Sequence, residues 1–171
     1  MAEQELARLT YASTAQFEQD GGRQSVDPEI GRILRACKIN NPKREIGGVL
    51  HYGYGYFFQA LEGERAAVEA LYEKIAQDGR HGAVQVLDIQ PIDRRYFPDW
   101  SMKYVPLERD VDQLLERHGI SPFNPYRFDR AVIEDLVQML VAGADAGQST
   151  ATEPPRRKGG IGGFLQRLLK G

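Results

Sequence analysis

The sequence predicts an α+β fold, a ferredoxin-like mixed five-stranded sheet with two helices on one face and C-terminal helices on the other. Three observations predict it. Apolar residues switch between a repeat of two and the spacing i, i+3, i+4, i+7, in the order strand, helix, strand, strand, helix, strand, strand. The tripeptide Gly53-Tyr54-Gly55 joins two of those strands as a hairpin turn. A later run of Val132, Ile133, Leu136, Val137 and Leu140 forms one more apolar helical stripe, whose natural cover is the open face of the sheet.

Residues 6–12, LARLTYA, place Ala7, Leu9 and Tyr11 on one side and Arg8 and Thr10 on the other, which is strand periodicity. The polar stretch 16–25, with Asp20-Gly21-Gly22, reads as a loop. Asp27 before Pro28 marks a helix start, because the carboxylate accepts from unpaired first-turn N–H groups and proline is tolerated at the first helical position. Ile30, Ile33, Leu34 and Cys37 give that helix its buried stripe, and Asn40-Asn41-Pro42 ends it. The hairpin strands are 46–52 and 56–62. Val68, Leu71, Tyr72 and Ile75 define a second helix that stops at Asp78-Gly79. Strands follow at 83–89 and 100–105, then helices at 110–118 and 128–142. Residues 143–158, rich in Gly, Ala, Ser, Thr and Pro, read as a flexible linker. The expected organisation is a ligand-binding domain over 1–106, a helical extension over 107–142, and a linker with a basic amphipathic tail over 143–171.

Composition narrows the function. Apolar residues are 42% and charged residues 27% of a 171-residue chain, as in ordinary soluble proteins. The formal net charge of −2 is uneven: residues 156–171 hold five cations and no acid, so the remainder carries −7. An acidic body argues against nucleic-acid binding, which needs a basic face. Cys37 is the only cysteine, which excludes an internal disulfide and any multi-cysteine metal site and suits a reducing compartment. The N-terminus lacks the features of a secretory signal, and no window approaches the ~18 apolar residues of a membrane span. A cytoplasmic protein is expected.

Tyr11 shares its strand face with Ala7 and Leu9, and Gln59 shares its face with Phe57 and Leu61. Both polar groups therefore point toward the helix-covered side. An unpartnered buried amide costs on the order of 1–3 kcal/mol, so Gln59 must find partners there. Either residue alone has a simple account, a tyrosine and a glutamine satisfying each other and nearby backbone. Trp100 and Met102 share a face as core residues often do, Asn40 and Asn41 read as a helix end, and Asp78, Arg80 and His81 as a turn. What these separate accounts leave out is the convergence of so many polar side chains at the ends of two helices over one sheet face. A bound polar aromatic ligand accounts for it.

In combination the segments RLTYAS, NNPKREIGG, FFQALEG, QDGRH and FPDWSM resemble the BLUF family, over about Leu9 to Tyr104. The resemblance implies a blue-light photoreceptor, not an enzyme, that binds FAD non-covalently and signals to a partner protein. It implies that Tyr11 reduces the photoexcited flavin and that Gln59, hydrogen-bonded between Tyr11 and the ring, rotates or tautomerises. It implies that Asn41 meets the ring carbonyl edge with Asn40 beside it, that Ile33 and Ile75 sandwich the ring, and that Asp78, Arg80 and His81 line the pocket. Trp100 and Met102 fall at positions that relay the signal by exchanging between inside and outside, and either may be read as the inner one. Three departures from the family pattern are the long 16–25 segment, Gly47 where threonine is frequent, and Lys74 where arginine is frequent.

A small ferredoxin-like hydrolase is the enzyme alternative, but Arg23 with Gly21-Gly22 is a thin anion loop and no nucleophile–base pair accompanies it. A module that has lost its flavin is the third reading, opposed by the retention of Tyr11, Asn41 and Gln59. Homo-oligomerisation through the added helices is expected. In the tail, Phe164, Leu165, Leu168 and Leu169 line one side of a short helix beside Arg167 and Lys170, which suits a partner groove or an anionic membrane surface.

Overall fold

A computed structural model describes residues 5–17, 27–99, 102–106 and 108–149. The first strand, β1, runs Leu6–Ala15, and helix α1 runs Pro28–Asn40. The Asp27 carboxylate accepts from the Glu29 N–H at 2.8 Å, the cap expected from the Asp-Pro pair. A 3-10 turn at Pro42–Arg44 leads into β2, Gly47–Gly53, and β3, Tyr56–Glu64. Their two-residue turn holds Tyr54 at φ 52° and Gly55 at φ 80°. Both positive values match the right-handed twist of the flanking strands, and glycine meets that demand without strain. Helix α2, Arg65–Ala76, is followed by β4, His81–Pro91, and β5, Lys103–Tyr104. Helices α3, Glu108–Arg117, and α4, Arg130–Ser149, complete the described chain.

The strand order is β4-β1-β3-β2-β5, antiparallel except for the parallel β2–β5 pair, as the ferredoxin-like reading requires with one strand added. Each face has its own core. On one side Leu9, Tyr11, Leu50, Phe57 and Leu61 pack with Ile30 and Ile33 of α1 and Val68 of α2. On the other, Val49, Phe58 and Ala60 pack with Leu114 and Leu115 of α3 and Val132, Ile133, Leu136, Val137 and Leu140 of α4. The sheet is thus the middle layer of three, and its central strands are buried on both faces.

Several boundaries differ from the sequence reading: β1 runs on to Ala15 where 12 was expected, β4 covers 81–91 where 83–89 was expected, and the fifth strand and last helix differ further. Among the described residues the fifth strand, expected over 100–105, pairs at Lys103 and Tyr104; the Val105 N–H still bonds Leu50 O, and Pro106 then has no donor to carry the ladder on. Trp100 lies outside the described residues. Helix α4 runs to Ser149, seven residues into the segment 143–158 read as linker. Gly143 and Gly147 each cost about 1 kcal/mol in a helix interior, yet no proline interrupts the run, and an established helix propagates through alanines more easily than it starts. The loop centred on Asp20-Gly21-Gly22 and the basic tail also fall outside the described residues.

Candidate functional site

The β1–β3 register sets Tyr11 directly opposite Gln59 on the face covered by α1 and α2. The Tyr11 hydroxyl donates to the Gln59 amide oxygen, and Gln59 Nε2 donates to Met102 Sδ at 3.1 Å. All three side chains are buried, Tyr11 completely. A thioether is a weak acceptor, so the amide N–H has a partner that a carbonyl oxygen would outcompete. Met102 is buried beside Gln59, and the other half of the Trp100/Met102 alternative lies outside the described residues. Gly48 makes room for it: a β-carbon there would lie 2.6 Å from Met102 Cε and 2.9 Å from Ala60 O.

Burial pushes the Tyr11 phenol well above its ordinary pKa, reinforced by Cys37, Asp78 and Tyr72, so the hydroxyl keeps its proton. The Tyr72 ring meets Tyr11 edge-on at 5.8 Å, and His81 does so at 6.5 Å. His81 Nδ1 and Ser13 Oγ are 2.8 Å apart, and the imidazole stands 4.9 Å from the Phe57 ring. Burial lowers the His81 pKa to about 4, leaving a neutral ring with one donor and one acceptor nitrogen. At the end of α2, Arg80 Nε and Nη2 grip the Asp78 carboxylate at 3.0 and 2.5 Å. That grip holds Asp78 down to about 2.

Asn41, buried at the C-terminal end of α1, sends its N–H to Cys37 O at 2.8 Å and accepts from Arg44 and Ile46 with its carbonyl. Asn40, one residue earlier, is exposed. Ile33 and Ile75 both belong to the Tyr11 cluster, one from each helix. The half-buried Cys37 thiol, packed against this cluster, is pushed up to about 11 by desolvation. The fold therefore gathers Tyr11, Gln59, Met102, Ile33, Ile75, Asn41 and His81 around one face, with Asp78 and Arg80 at its rim, and leaves Asn40 outside.

The sequence reading missed Ser13, Tyr52 and Gly48. Ser13 was legible, since it continues the period-two face of Leu9 and Tyr11. The Tyr52 hydroxyl is buried without a hydrogen-bond partner. An orphaned hydroxyl, an amide donor spent on sulfur and a buried asparagine, combined with flat aliphatic walls, fit an aromatic ring system with a carbonyl edge. Among the described residues, no three His, Cys, Asp or Glu side chains stand together as a metal site, and no helix is long and apolar enough to cross a membrane.

The model of the family described as BLUF, sensors of blue-light using FAD, matches residues 6–103. A photoactivated adenylate cyclase subunit beta of Euglena longa is 36% identical over 98 residues, 57% of this chain and 11% of that protein. The corresponding subunit alpha of Euglena gracilis is 37% identical over 95 residues, 56% of this chain and 9% of that protein. The chain thus spans about a tenth of the length of these curated relatives. Among solved structures, BlsA in its photo-activated state superposes with a TM-score of 0.71 at 32% identity, covering 80% of this chain and 94% of that one. The dark-state structure of BlrB, a BLUF protein, gives 0.66 at 31% identity, covering 81% and 97%.

Proposed function

The chain belongs to the BLUF family of flavin-binding blue-light sensors, and from that membership we infer that it holds FAD between α1 and α2 and signals by rewiring the hydrogen bonds of Gln59. The observation that carries the reading is the buried chain of bonds from the Tyr11 hydroxyl to the Gln59 amide to the Met102 sulfur. The flavin, when bound, supplies blue-light absorption and a strongly oxidising excited state. Tyr11 would donate an electron and its phenolic proton to the photoexcited flavin and take both back as the dark state returns. Gln59 turns or tautomerises in between, so that its donor and acceptor ends exchange partners. Asn41 would hold the carbonyl edge of the ring, Ile33 and Ile75 would flank it, and Asp78, Arg80 and His81 would close the pocket. Asn40 is a flanking residue only.

On this reading the chain is a sensor rather than a catalyst, and its output is a signal to a partner protein in the cytoplasm. We divide it into a sensor unit over 1–106, a helical extension from 107 through the end of α4 at Ser149, and the basic segment beyond. Self-association through α3 and α4 and docking of residues 156–171 on a partner or an anionic membrane are the two routes proposed for passing the signal on.

Absorption spectra of the purified protein in the dark and under blue light test the reading, alongside Tyr11→Phe and Gln59→Ala. A yellow protein with a reversible red shift, lost in both variants, is expected. A colourless protein that takes up no added FAD would sink the proposal.

A further inference from the structure

On the opposite face of the sheet, three residues beyond Tyr11 and Gln59 along the same ladder, Arg8 stands opposite Glu62. Glu62 is fully buried and Arg8 is 5% exposed. Two buried charges are costly unless tightly bonded to each other, and hydrophobic residues of similar size often serve stability as well or better. Here the bond is loose: Arg8 Nε and Glu62 Oε1 are 4.0 Å apart, and Glu62 Oε1 and Arg8 Nη1 make no hydrogen bond. Stability alone therefore gives no account of this pair.

What the pair does is tie three parts of the molecule together. Glu62 Oε2 accepts the Tyr96 N–H at 2.7 Å and the Phe97 N–H at 3.3 Å, holding the connection between β4 and β5 to the central sheet. Met102, which takes the Gln59 N–H, follows Phe97 by five residues on that connection. Arg8 lies 4.6 Å over the Tyr96 ring and reaches with Nη2 to Glu134 Oε2 on α4 at 3.2 Å. Burial raises the Glu62 carboxyl, while the two backbone N–H groups, Arg8 and Arg95 pull it back down. A partly satisfied charged network is the kind that a small displacement rearranges.

We propose that the Arg8–Glu62 pair, with Glu134 on α4, is the link through which a change at Gln59 and Met102 on one sheet face reaches helix α4 on the other. The proposal rests on the photoactive reading of Tyr11 and Gln59. Glu62 acts as a positioning residue for the Met102 segment, and Arg8 converts its position into a pull on α4. The two-headed guanidinium is needed because a single ammonium cannot serve both carboxylates in this geometry.

Hydrogen exchange across residues 130–143, measured on the full flavin-loaded chain in the dark and under blue light together with the flavin spectrum, tests the link. The unmodified protein is expected to change exchange in α4 on illumination. Glu134→Gln, at a residue 32% exposed and nearly isosteric, is expected to keep the full red shift and lose most of that exchange difference. Arg8→Lys is expected to do the same. A red shift with no light-dependent exchange in α4 of the unmodified protein, or an undiminished difference in both variants, would overturn the link. Absence of any red shift in the unmodified protein would overturn it together with the photoreceptor reading, and the spectrum identifies that case.

Discussion

Gly48 shows how narrowly the site is built. Its missing β-carbon leaves room for the Met102 methyl and the Ala60 carbonyl, the latter a backbone atom that cannot swing away. Gly48→Ala is therefore expected to push Met102 from its place, cost about 1–3 kcal/mol in overpacking, and alter the flavin band in the dark. Urea unfolding and an absorption spectrum check both halves; an unmoved band with Met102 still buried would refute the displacement. His81 makes a second residue-scale prediction. Its folded pKa is about 4 against an ordinary 6.5, so between those values the unfolded chain binds a proton that the fold refuses. Stability then rises with pH across that window, and about 3 kcal/mol is lost on acidifying from 6.5 to 4. Urea midpoints at pH 7 and 4.5 should show the loss, and His81→Asn should flatten it. At this scale Tyr11 and Gln59 were legible because strand alternation fixes their faces. Arg8 and Glu62 were not, since a polar residue on an alternate face looks solvated until a second pair of helices covers it.

Helices α3 and α4 supply that cover. The α4 stripe of Val132, Ile133, Leu136, Val137 and Leu140 is almost wholly excluded from water, each member between 0% and 3% exposed. Leu136→Ala removes a fully buried side chain from the centre of this layer and is expected to cost 2–5 kcal/mol, roughly the value for core leucines elsewhere. The check is the shift in urea midpoint; a change under half a kcal/mol, on the order of a surface substitution, would mean that α4 does not seal the sheet. The helical stripe was plain in the sequence because its period is unbroken from Val132 to Leu140. The ends of elements were less plain. β5 shrank to two residues where Pro106 removes a donor, and α4 outran two glycines that read as the start of a linker.

At the scale of the molecule, order and type of every element in the sheet followed from apolar period, whereas the polar side of the site emerged only as segments taken together. NNPKREIGG and QDGRH are turns by composition, and only the folded arrangement buries Asn41 at the end of α1 and sets His81 against Tyr11. It also separates Asn40 from Asn41, a distinction that adjacent identical letters cannot carry. The photoactivated relatives are about ten times longer than the matched region, with cyclase named as their activity. The proposed charged link ends at Glu134, on a part-exposed side of α4.

The sheet is also laced unevenly. β1 and β3 are ten and nine residues long and run side by side at the centre, while β5 is two residues long at the edge and is joined to β2 by few backbone bonds among the described residues, the Val105 N–H to Leu50 O among them. With each backbone bond contributing about 0.5–1.5 kcal/mol net, unfastening β5 costs only a small part of what parting the central strands would. The strand that follows Met102 is thus the one that can come loose while the remaining four stay sealed between their helices, so the molecule can change its outline at one edge without melting.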